Sequence, residues 1–263
     1  MLGKLIKYEF KATGRTFLPL YGAILIVALV QRFLGRSSQE LFEELNRIGD
    51  FATIALVALF MALGVITLVV TIQRFQKSLL SDEGYLMFTL PVKIRGLIAS
   101  KMVVATTWVI LSGIVGIISF VILFANKEFF AEFLPLLSEM ITQMKEILQD
   151  ESGRTAIFLI ISCFMTGFLS YIQFVLVIYL SLAIGQFPKF QKHRTAASFI
   201  AFFVINTVMS WIIGMIGFQI TPDQFSEINL NIILLIGNVI TILMTVGLFE
   251  ATHYILNKHL NLE

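Results

Sequence analysis

Catalysis needs nucleophiles, acids, bases or metal ligands brought close together, and this chain offers few. Its histidines are His193, His253 and His259, and its one cysteine is Cys163. The histidines lack the spacing of a metal site. A lone thiol in an apolar run forms no intrachain disulfide and reads as a small packing residue. Glu250 and His253 stand one helical turn apart, but near the end of the last long apolar segment rather than deep within it. No GxxxxGK[ST], HExxH, CxxC or GxSxG occurs, so the chain has no phosphate cradle, zinc-protease pair, redox pair or nucleophile elbow. Neither an enzyme nor a resident cofactor or metal is expected.

Glu43, Glu44 and Arg47 weakly resemble the paired-glutamate signature of intramembrane prenyl-protein proteases. The arginine is one residue too close and no intramembrane histidines match, so these residues read as a solvated helix face. Deep polar groups are limited to amides such as Gln173, Asn206 and Asn238, which suit hydrogen bonding between helices. Ser112 with Gly116, and Gly214 with Gly217, suggest close helix packing. Buried carboxylates of the kind that bind a coupling ion in secondary carriers are scarce.

The segment with the most pointed chemistry is a loop. It runs Asp82, Glu83, Gly84, Tyr85, Leu86, Met87, Phe88, Thr89, Leu90 and Pro91, in which Tyr85, Leu86, Met87, Phe88 and Leu90 are bulky and apolar, and it is flanked by Arg74, Lys77, Lys93, Arg95 and Lys101. Ser81 followed by two acids suits a helix start, and Pro91 ends the element. Aromatic and methionine side chains inside a basic rim fit the groove of a partner. The alternative is an element that simply dips into the lipid interface; docking is the favoured reading.

The elements that position this loop follow from composition. Of 263 residues, 57% are hydrophobic and 14% charged, against about 45–50% and about 25% in soluble domains. Mean hydropathy is +0.89. A membrane-crossing helix needs about 20 apolar residues. Six segments qualify, at about 16–34, 51–72, 102–124, 155–184, 195–218 and 230–256. The fourth is long enough to tilt, or to break near Gly167 or Gln173. The first follows a lysine-rich start but meets Gln31 and Arg32 rather than a cleavage site, so it reads as an anchor. Arg32 would snorkel to an interface.

Charge sets the orientation. The segments on the side of the N-terminus carry thirteen Lys and Arg, and those on the other side carry six. The acids run the opposite way, five against twelve. The positive-inside rule therefore places both termini in the cytoplasm, which requires an even number of spans. The expected fold is all-α integral membrane, a single domain over 1–263.

Two further segments suit a membrane surface. Residues 1–15 read as an interfacial helix: Lys4, Lys7, Lys11 and Arg15 on one face, Leu2, Leu5, Ile6, Phe10, Thr13 and Phe17 on the other. Glu9 falls within the apolar face. It either snorkels or pairs with a basic residue of the next cytoplasmic loop. Outside, 126–153 repeats apolar residues at three and four, from Phe130 to Leu148, and reads as an amphipathic linker or a gate.

The run from Asp82 to Val92, continuing through Arg95 and Ser100-Lys101 into the third span, resembles the permease subunits of ABC-2 type ABC transporters. The opening Leu5-Ile6-Lys7-Tyr8-Glu9-Phe10-Lys11 is similar to theirs as well. The resemblance covers the length of the chain and looks closest to bacterial exporters of amphipathic peptides, of the phenol-soluble-modulin and lantibiotic-immunity types. It implies a multi-pass protein of the bacterial plasma membrane. Residues 82–91 would be the coupling helix that docks on a separate ATPase subunit, which would hold ATP and Mg. Phe187, Pro188, Lys189, His193 and Arg194 would form a second, smaller contact. A second permease copy, identical or related, would complete the pathway, and no nucleic acid is expected. One departure stands out: only 219–229 joins the last two spans, where other branches often carry a helical hairpin, and the larger outside feature is 126–153. The runner-up function is a membrane anchor or sensor that recruits a cytoplasmic ATPase without moving a substrate.

Overall fold

The computed structural model describes residues 2–37, 43–80, 84, 92–124, 127–149, 151–217 and 230–258. The described residues contain seven α-helices and no strand. They are α1 (Leu2–Ser37), α2 (Glu43–Phe75), α3 (Ile94–Phe124), α4 (Lys127–Gln149), α5 (Glu151–Ile184), α6 (Arg194–Gly217) and α7 (Leu230–Lys258). A π-helical turn, Gln76–Leu80, extends α2, and a 3₁₀ turn, Pro188–His193, separates α5 from α6. All but α4 are long and apolar enough to cross a membrane, which makes this a six-span helical membrane protein. The fourth span, α5, runs unbroken through Gly167 and Gln173.

The chain divides into two compact units. The first comprises residues 1–71 and 103–144, the second 72–102 and 145–263. In the first, α1 presents Phe17, Tyr21 and Ile24 at helical spacing. They bury against Leu63 of α2 and Val104 and Trp108 of α3. Phe17 stacks on Trp108 at 4.5 Å between ring centroids, with Phe10 and Tyr21 tilted against the same indole. The indole Nε1–H donates to Thr13 Oγ1 at 2.7 Å, and Tyr21 Oη and Ser112 Oγ share a hydrogen bond of 2.9 Å. Arg32 donates to the Ile122 carbonyl at 2.9 Å. That oxygen lies in the last turn of α3, where carbonyls lack helical donors and cations are favoured. Arg32 thus has a specific acceptor on the neighbouring helix.

The N-terminal segment differs from expectation. Residues 2–15 are not a separate interfacial helix; they are the first turns of α1, which runs without a break to Ser37. Lys4, Lys7, Lys11 and Arg15 are exposed and Glu9 is half-buried. The opposite face, from Phe10 to Phe17, is covered by Trp108. Protein packing takes the surface that an isolated amphipathic helix would turn to lipid, and this contact carries the helix straight into the span.

In the second unit α5 is central. Val175 to Leu180 are buried without interruption, as befits a helix surrounded on all sides. The α7 helix lies along α5. Asn231 donates to the Thr155 carbonyl at 3.3 Å, and Asn238 donates to the Ser162 carbonyl at 3.4 Å while accepting from Thr166 Oγ1 at 2.8 Å. Both partners advance by one heptad together, so α5 and α7 run in the same direction with coiled-coil spacing. Asn238 thus plays the interhelical role expected of it. Asn206 instead donates to Phe202 of its own helix.

Among the pairs expected to mark close packing, Gly116 meets the Phe60 ring at ordinary distance, whereas nothing approaches Gly214. The segment expected to lie between the third and fourth spans is the helix α4, and every residue from Ala131 to Gln143 is exposed.

Candidate functional site: the membrane face bearing the first loop

The apolar docking segment has one described residue. Asp82, Glu83, Tyr85, Leu86, Met87, Phe88, Thr89, Leu90 and Pro91 lie outside the described residues. Gly84 is buried, and a Cβ there would stand 2.6 Å from the Leu79 carbonyl oxygen. Only a residue without a side chain tolerates so close a backbone approach. Gly84 therefore lies close against the π-helical turn, whose Ser78, Leu79 and Leu80 are buried.

Both ends of the loop are anchored within the second unit. Before the loop, Phe75 is fully buried and stacks on Tyr179 of α5, with ring centroids 4.0 Å apart and planes within 11°. After it, Arg95 in the first turn of α3 donates to Glu250 of α7 at 2.8 Å. The His253 Nδ1 lies 3.8 Å from the same carboxylate oxygen. The carboxylate thus serves two basic groups, and Arg95 adds the partner that the Glu250–His253 spacing alone does not reveal. Arg95 and Glu250 are about half exposed, so the pair contributes modestly to stability. Its value is positional.

The second predicted contact sits on the same membrane face. Because α5 and α7 run in parallel, their C-terminal ends point the same way, and the 3₁₀ turn directly follows α5. The end of α5 is closed by hydrogen bonds from Gly185 to Ser181 and from Gln186 to Ala183, each 3.1 Å. Phe187 N–H donates to Ile184, and Phe190 N–H to Phe187. The carbonyls of Ser181, Ala183 and Ile184 at the end of α5 are thereby satisfied. Gly185 is needed by proximity rather than by its torsions: an added Cβ would collide with Ser198 Oγ and stand 2.8 Å from the Arg194 carbonyl. This clamps the turn to the start of α6.

Pro188, Lys189 and His193 are exposed, while Phe187 and Arg194 are half-buried. Phe190, which stands outside the residues singled out from sequence, is 43% exposed between Lys189 and Lys192. Its signal was the one already used for the first loop, an aromatic within a basic setting. Phe75 and Tyr179 carried none, since each is one aromatic among many in an apolar helix. Lys4, Lys7, Glu9 and Lys11 belong to the first unit and are described with it above.

Comparison of the chain with protein-family models, with curated proteins and with solved structures finds no match. The functional reading rests on the residues and their geometry.

Proposed function

We propose that this chain is the membrane-spanning permease subunit of an ATP-driven exporter of the ABC-2 type. It moves amphipathic peptides or other hydrophobic molecules out of a bacterial cell through the plasma membrane. Both termini lie in the cytoplasm, with the exposed lysines of α1 at the inner interface. Residues 82–91 dock in a groove of a separate ATPase subunit, and the turn from Phe187 to Arg194 makes the smaller contact beside it. ATP and Mg bind that partner, and a second permease copy completes the pathway.

One observation carries this reading: the loop is tied at both ends to the central helices of its unit, through Phe75–Tyr179 and Arg95–Glu250. A loop that only dipped into lipid would need no such ties. A loop that receives force from a partner needs rigid connections to the spans it moves. The aromatic and methionine content of the chain, 25 Phe and 10 Met, suits an adaptable apolar pathway.

The test is co-expression with candidate ABC-type ATPases and pull-down in detergent, comparing wild type with the Tyr85→Ala, Phe88→Ala double variant. Co-purification lost in the variant supports the docking role. If no ATPase associates with well-folded wild-type protein, the proposal fails. The same ties would serve an anchor that holds an ATPase without transport, and only a transport measurement separates the two.

A further inference from the structure

A groove of about 500 Å³ opens on the first unit between α1 and α3. Its apolar part is made by Phe10, Leu18, Pro19 and Trp108, and its rim by Lys11 and Arg15. Gly14 lies between the two cations and leaves the space open, because nothing projects from it. Lys11 and Arg15 are one helical turn apart and exposed. Among the described residues neither forms an ion pair, and no acid lines the groove. Two like charges at this spacing repel unless an anion lies between them.

The polarity is graded along the helix. From Lys11 to Pro19 the chain rises about 12 Å into the first span, so the cations sit at the membrane interface and the apolar walls sit deeper. Pro19 has no N–H, which leaves the Arg15 carbonyl without its usual helical donor beside the groove.

We propose that this groove is a binding site for an anionic glycerophospholipid taken from the bilayer. The phosphate bridges Lys11 and Arg15, a headgroup hydroxyl donates to the Arg15 carbonyl, and an acyl chain lies over Leu18, Pro19 and Trp108. In the proposed topology this is a lipid of the inner leaflet. The site itself does not depend on the transport reading.

The chain has two tryptophans, so a Trp211→Phe background leaves Trp108 as the reporter within the groove. The protein is reconstituted in phosphatidylcholine vesicles containing either brominated phosphatidylglycerol or brominated phosphatidylcholine, and relative association constants are taken from Trp108 quenching. Binding of the anionic lipid roughly tenfold stronger is expected, falling to parity in a Lys11→Gln, Arg15→Gln variant. Both side chains are exposed, so this variant folds. Gly14→Ala, whose Cβ would meet Trp108 and Leu18 at ordinary distances of 3.7 and 3.8 Å, should narrow the groove and weaken quenching by both lipids. Equal quenching by the two lipids in the parent protein, or a preference surviving in the double variant, overturns the proposal. So does displacement of the lipid by soluble glycerophosphate at matched concentration, which would make this a site for free phosphate esters.

Discussion

The indole of Trp108 offers the cleanest quantitative test of the packing. Its N–H reaches Thr13 Oγ1 at 2.7 Å, and both residues are buried, at 5% and 3% exposure. In a bilayer the unfolded helices remain in lipid, so helix association gains nothing from leaving water. What a substitution here removes is dispersion, ring contact and the hydrogen bond. Trp108→Phe keeps an aromatic ring facing Phe17 and deletes the donor. Thr13→Val deletes the acceptor at matched size. Hydrogen bonds between membrane helices average about 0.6 kcal/mol and reach about 1.7 kcal/mol. This bond is short and shielded, so a double-mutant cycle should give about 1–1.5 kcal/mol of coupling. Trp108→Ala loses the contacts with Phe10, Phe17 and Tyr21 and leaves a cavity. A cost of about 2–4 kcal/mol follows, toward the lower half of the soluble-protein range because the water-transfer part is missing. The measurement is reversible unfolding in mixed micelles titrated with dodecyl sulfate. Coupling within about 0.3 kcal/mol of zero, below what cycles between neighbours resolve, would refute the hydrogen bond as a contributor. A Trp108→Ala cost no larger than that of Trp108→Phe would refute the aromatic cluster as the core of the first unit.

Three other substitutions test the second unit. Gly185→Ala forces a Cβ into Ser198 and the Arg194 carbonyl. It should destabilise by about 1–3 kcal/mol in the same assay, with partial rescue by Ser198→Ala. Asn238→Leu removes both links between α5 and α7 at that level and should cost about 0.5–2 kcal/mol, whereas Asn206→Leu, whose bond stays within its own helix, should cost less. Arg95→Ala should lower thermal stability by no more than about 1 kcal/mol because the pair is half exposed, yet weaken co-purification of the ATPase. Exchange of the charges in Arg95→Glu, Glu250→Arg should restore it.

The six spans were legible because lipid imposes a length and an apolarity that few other environments demand. The α4 helix was legible from its three-and-four spacing for the same kind of reason, one face differing from the other. Packing faces were not. In α2, α3, α6 and α7 the side toward protein and the side toward lipid are both apolar, so no pattern separates Leu63, Val104 or Leu248, which are buried, from Val65, Val103 or Val246, which are exposed. The continuity of α1 was hidden because the basic and apolar faces of residues 2–17 satisfy a surface helix as well as they satisfy packing on Trp108. Of the candidate site, the basic and aromatic character of the loops could be seen in the residues themselves. The anchors at Phe75–Tyr179 and Arg95–Glu250 could not, since each joins residues about 100 or more apart in the chain.

The central claim is transport, and it is tested most directly in sealed vesicles holding the permease with its co-purified ATPase. The reading is ATP-dependent movement of a fluorescent amphipathic helical peptide to the side opposite the nucleotide. Movement that requires ATP hydrolysis and is abolished by Tyr85→Ala, Phe88→Ala is the predicted result. An ATPase that binds and hydrolyses ATP at a rate insensitive to the peptide, with no peptide crossing, would contradict it and leave the chain an anchor.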